Sequence, residues 1–295
     1  MKIRIGYDIV YTCAQPTPMI LTLEVHHSRM HDVVVPAHLM TDPALPVVAY
    51  RDGFGNWCSR IVAPPGDIRI FADGLIRDSG QVDDTVVEAQ QIALQDLPEE
   101  TLVFLLGSRY CETDRLSAEA WRLFEHTPPG WARVQAICDF VSQRIRFGYQ
   151  FARPTKTAWE TYNERAGVCR DYAHLAISFC RCMNIPARYC TGYLGDIGIP
   201  PAPGPMDFSG WFEVYLGDRW YTFDARNNVP RIGRVLMARG RDAADVAMVT
   251  TFGPSVLKSF QVRTDEVSTA WCRDSVTMLS SSTCCGRATA RNERK

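Results

Sequence analysis

"GVCRDYAHLAISFCRCMNIPARYCTGYL", residues 167–194, is the stretch whose reading decides the fold. From Val168 to Met183 it is apolar almost all round, interrupted only by Arg170, Asp171, His174 and Arg181. That pattern predicts a helix with no solvent face, enclosed in a core. Pro186 stops the helix, and Ala187 to Leu194 reads as a strand. Cys169 falls in the first turn. Free N–H groups and the helix dipole favour an anion there, which predicts a thiol partly ionised near neutral pH. The same N–H groups could hold an oxyanion formed when a thiolate attacks a carbonyl. A plain core cysteine at a helix start is the competing reading. His174 lies about 140° around the helix and about 7.5 Å along it from Cys169, so it points away from the thiol and reads as a buried structural side chain.

A second stretch, "PMDFSGWFEVYLGDRWYTFDARNN" (205–228), reads as a hairpin turning at Gly217-Asp218. That turn pairs Leu216 with Arg219 and therefore Trp211 with Asp224. Residue 209 becomes a diagonal neighbour of Asp224, about 7–8 Å away by backbone. A histidine at 209 could meet Asp224 and face the cysteine, which is a nucleophile–base–orienter arrangement. The residue there is Ser209, which has no basic nitrogen. Trp211, on the Asp224 face, is the aromatic expected to line a substrate groove.

Upstream, the period changes to two. Ile3, Ile5 and Tyr7 alternate with Lys2, Arg4 and Gly6, and Leu21, Leu23 and Val25 continue the pattern. Asp52-Gly53 and Gly55-Asn56 supply turn chemistry for a hairpin over residues 50–64. Residues 1–77 are therefore expected to form a small antiparallel β domain, and the polar, acidic segment 78–100 a connector. Helical patterns follow: one capped by Ser117, one with Val134, Ile137, Val141 and Ile145 on a stripe, and a short one with a Thr157/Glu160 capping box that stops near Gly167.

The composition excludes several classes. A net charge of -1 gives no sign of nucleic acid or an anionic membrane as partner. No apolar run approaches the roughly 18 residues of a membrane span, and the start shows no signal-peptide block, so a cytosolic location is expected. The eleven cysteines contain no CxxC pair, and no ligand spacing suits zinc. No phosphate loop, dinucleotide loop or HExxH is present. No cofactor and no metal are expected. Asp242 and Asp245 read as a solvated face with Arg239 and Arg241, and the four histidines of the β region and His126 as surface residues.

The runs G-V-C-R-D (167–171), I-P-A-R-Y (185–189) and W-Y-T-F-D-A-R (220–226) together resemble the bacterial transglutaminase-like superfamily. The resemblance covers most of residues 1–270. It implies an α+β fold: an N-terminal β domain, then a papain-like core over 101–270 in which a buried cysteine helix packs on an antiparallel sheet; the Ser-rich, basic segment 271–295 reads separately as a disordered tail. It also implies Cys169 as nucleophile, Asp224 as the acid that orients a base, and Ser209 in the position of the catalytic histidine, since the family's D-F-H-A-W reads here as Asp207-Phe208-Ser209-Gly210-Trp211. The expected activity is acyl transfer or hydrolysis on peptide or protein amides through a thioester, impaired at the base. The alternative is a pseudoenzyme that binds a peptide or partner protein in the same cleft, or a chain altered at 209–210 from an active parent.

Overall fold

The alternation at the N-terminus becomes β1 (Lys2–Cys13), whose Ile3, Ile5, Tyr7 and Ile9 are buried. The protein was described from a computed structural model covering residues 1–201 and 206–267, so the tail expected over 271–295 lies outside the described residues. The strands β2 (Thr17–Leu21), β3 (Val33–Val35), β4 (Met40–Asp42), β5 (Val48–Arg51), β6 (Trp57–Ala63) and β7 (Gly66–Arg77) follow. The expected hairpin forms between β5 and β6. Asp52 fixes its turn, because Oδ1 accepts the N–H groups of Phe54 and Asn56 at 2.9 Å each.

The 78–100 segment is fastened rather than loose. Val82 bridges Ile232, and Asp83 bonds both Arg231 and Arg234. Four short or medium helices come next: α1 (Glu99–Leu102), α2 (Thr113–Phe124), α3 (Trp131–Arg144) and α4 (Ala158–Glu164), with β8 (Arg146–Phe147) between the last two. Ser117 does not cap α2. The helix begins at Thr113 and Ser117 lies inside it, because Leu116, Ala120 and Phe124 set its buried face from the first turn. The α3 stripe is as expected, with Val134, Ile137 and Val141 fully buried. Thr157 and Glu160 form the capping box of α4, which stops at Arg165 in a left-handed conformation.

A two-residue strand β9 (Ala166–Gly167) leads into α5 (Cys169–Cys182), in which every residue from Asp171 to Cys182 is buried. β10 (Ala187–Tyr193), β11 (Ser209–Leu216), β12 (Arg219–Phe223) and β13 (Val235–Gly240) form an antiparallel sheet in the order β12-β11-β10-β13. One face, with Tyr189, Phe212, Val214 and Phe223, packs on α3 and α5 in a single core. The other, through Tyr193, Val235 and Met237, joins the core of the N-terminal strands. The sheet is thus covered on both sides.

The end of the chain departs from the expected division. β14 (Val249–Thr251) pairs with β2, and β15 (Ser255–Glu266) pairs with β1 along its whole length. Residues 249–266 therefore belong with the N-terminal β domain and not with a core running to 270. The physical reason is the edge of β1: without β15, one side of a twelve-residue strand has no hydrogen-bond partner.

Candidate active site

Gly167 and Asp171 set the turn that presents Cys169. Asp171 Oδ2 accepts the Val168 N–H at 3.0 Å, tying the first turn of α5 to the residue before it. A Cβ at Gly167 would lie 2.7 Å from the Asp171 side chain, so only glycine permits this approach. Cys169 is then the first helical residue, partly exposed at a cavity of about 480 Å³. Ser209, Asp207 and Arg226 line the same cavity, with Phe147 and Tyr149 across from them.

The hairpin has the expected register: Leu216 faces Arg219, and the pairing runs back to Phe212 and Phe223. Its first residues reach the thiol. The Gly210 backbone N–H is placed to favour the Cys169 thiolate. A Cβ at Gly210 would overlap Tyr189 Oη, so this close packing also requires glycine. The thiol is not the partly ionised group expected from its helix position. Burial pushes it up to about 11, and the Asp207 and Asp224 charges add to that, against the Gly210 N–H and Arg226. No histidine lines the cavity, so no imidazolium offsets these effects.

Asp224 is buried and ionised. Oδ1 accepts Arg226 N–H at 3.1 Å and Asn227 N–H at 2.9 Å. Oδ2 accepts Asn227 Nδ2 at 2.7 Å and Arg234 Nη2 at 2.9 Å. Burial pushes its carboxyl up, but Arg234 and the Asn227 bonds outweigh that and hold it below the ordinary value. Asp224 does not line the Cys169 cavity. Arg234 also pairs with Asp83 at 2.8 Å, so Asp224 is tied through that cation to the 78–100 segment.

Trp211 is corrected as a groove residue. It is 2% exposed, packed with Cys190 and Leu236 under the Arg234 guanidinium, 5.2 Å from its ring centre. It borders a different cavity with Asp83 and Arg234. The Cys169 cavity opens at the start of β11, where Ser209 stands, and Trp211 lies two pairs further in.

No histidine lines the Cys169 cavity. His174 is fully buried between the rings of Tyr110 and Tyr189, and its Nε2 accepts the Ala243 N–H at 3.1 Å. Burial holds it neutral, well below its ordinary value. His26 is not a surface residue but 1% exposed, with Nδ1 against Ser28 Oγ, and burial lowers it to about 3. Asp242 is likewise buried rather than solvated, accepting the Tyr110 N–H at 2.8 Å. Among the described residues no group of His, Cys, Asp and Glu is arranged to hold a metal. Asp207 and Arg226 are the cavity residues that sequence reasoning gave no role. Strand parity, which put 226 across from 209, was the available signal for Arg226.

A cysteine at the start of a buried helix, facing the first residues of an antiparallel hairpin, defines a papain-like cysteine fold. The family model described as "Transglutaminase-like superfamily" matches residues 122–225. An uncharacterized protein of Mycobacterium leprae (strain TN) is 33% identical over 230 residues, covering 75% of this chain and 81% of the relative. One from Mycobacterium tuberculosis is 31% identical over 129 residues, which is 40% of its length. Among solved structures, a candidate cysteine protease from Cytophaga hutchinsonii is similar at a TM-score of 0.78 and 31% identity, over 91% of both chains. This chain belongs to the transglutaminase-like superfamily, whose general chemistry is cysteine-based acyl transfer or peptide cleavage.

Proposed function

We propose that this chain is a cysteine-dependent acyltransferase or hydrolase of peptide or protein amides, slowed because position 209 is serine. The observation that carries the reading is Cys169 itself: the first residue of α5, open to a cavity that Ser209 also lines. A thiol so placed attacks a carbonyl and forms a thioester, which water or an amine then resolves. A thiol that rests protonated makes this slow at neutral pH. The reading includes a cytosolic location, supported by eight described cysteines that are all free thiols.

p-Nitrophenyl acetate tests the reading directly. Intact-protein mass spectrometry should find one acetyl adduct, on Cys169, that is lost in Cys169→Ala. Ser209→His should raise the acylation rate by about tenfold or more, since a positioned general base contributes about 10²–10⁴-fold.

The second reading is a non-catalytic protein that binds a peptide or partner in the same cavity. Its support is Asp224, whose four acceptor positions are occupied by Arg226, Asn227 and Arg234. An unmodified Cys169 in both the wild type and Ser209→His would favour this second reading.

A further inference from the structure

We propose that the Asp207 carboxylate is the proton acceptor for Cys169, serving from the wall of the same cavity where Ser209 cannot. The inference rests on the acyl-transfer reading above. Two carboxylates act on the thiol through their charge, Asp207 and Asp224. Asp224 is excluded by its own bonds, since both oxygens are filled by N–H donors and it lies outside the cavity. Asp207 lines the same cavity as Cys169, two residues before Ser209. The one hydrogen bond that the described residues give it is from its neighbour Phe208, N–H to Oδ1 at 2.7 Å. Among the described residues no donor takes Oδ2.

The other charged groups around this cavity are engaged elsewhere or sit at its mouth. Arg226 bonds Asn227 and covers the Phe147 ring at 4.2 Å. Arg231 bonds Asn227 and Gly195 and pairs with Asp196 at 3.7 Å. Asp265 and Glu266 are exposed on β15, and the Tyr149 phenol is pushed up by burial and by the Asp207 and Cys169 charges. Burial also raises the Asp207 carboxyl, which makes it a stronger base than a solvated aspartate.

The step balances without an external reactant. Cys169 Sγ bonds the substrate carbonyl carbon, the S–H proton passes to Asp207, and the carbonyl electron pair moves onto oxygen. The C–N bond then breaks, and Asp207 returns the proton to the leaving amine, which leaves a thioester. Water attacks the thioester carbon and gives its proton to Asp207. The C–S bond breaks and Sγ takes that proton back.

Asp207→Asn separates this role from a purely electrostatic one, because the two act in opposite directions on two readouts. Removing the negative charge eases thiol ionisation, so iodoacetamide should alkylate Cys169 at an unchanged or higher rate. Turnover of p-nitrophenyl acetate and of a peptide p-nitroanilide at neutral pH should nevertheless fall about 100-fold. The wild-type rate should rise with pH through the raised carboxyl titration, and that limb should vanish in the variant. Asp207→Glu, keeping a carboxylate, should retain part of the rate, so misfolding of one variant leaves the question answerable. Turnover that is unchanged in Asp207→Asn, or that rises in step with alkylation, overturns the proposal. Turnover lost in Cys169→Ala but kept in Asp207→Asn removes this role alone. Wild-type turnover equal to that of Cys169→Ala removes the acyl-transfer reading together with it.

Discussion

Asp207 and Asp224 bracket one hairpin, the first just before β11 and the second just after β12, and both act on Cys169 through their charge. Asp224 is 7% exposed and Asp207 is more open, yet the more deeply buried group is the stronger acid. Donors decide this. Asp224 collects two backbone N–H groups, an amide and a guanidinium, whereas among the described residues Asp207 holds a single N–H, from its neighbour. Burial alone disfavours a carboxylate, and only enough directed donors reverse it.

Arg234→Ala strips the buried Asp224 and the partly buried Asp83 of their shared cation and should cost about 3–5 kcal/mol, read as a fall in the urea midpoint. Gly210→Ala should cost about 1–3 kcal/mol, because the added methyl meets the buried Tyr189 hydroxyl; the same denaturation curve measures it.

The smallest effect is the most diagnostic. Asp224, depressed in the fold, contributes stability above its unfolded value of about 3.8 and loses it as pH falls through its folded value. Asp207, raised in the fold, does the reverse: its contribution is full below about 3.8 and is lost as pH rises through its folded value. Asp207→Asn should thus slightly raise the urea midpoint near neutral pH and show no gain in acid. A gain independent of pH would mean that Asp207 is not the raised group.

Much of this was legible in the sequence, for reasons that differ by residue. The all-apolar run after Cys169 marked a buried helix, and the Gly217-Asp218 turn fixed the hairpin register residue by residue. Period-two alternation found β1. What the sequence hid was long-range. Arg234 is ten residues from Asp224, and nothing local says that its guanidinium, not a ring nitrogen, fills that carboxylate. Trp211 looked like a groove residue by parity alone, but parity assigns a face and not the depth at which another element covers it. His26 looked exposed because its burial comes from packing that no nearby residue announces. The pairing of β15 with β1 was equally invisible, since no local pattern names a distant partner strand.

That pairing has a consequence during synthesis. Roughly 240 residues separate Cys13 of β1 from its partner Ser255, and at about 5–20 residues per second a ribosome needs roughly 12–50 s to bridge them. Throughout that interval one edge of β1 has no partner strand, and its alternating isoleucines are those that favour pairing with other chains. A holding chaperone, or slow release of the emerging chain, should therefore govern the yield of this protein more than its final stability does.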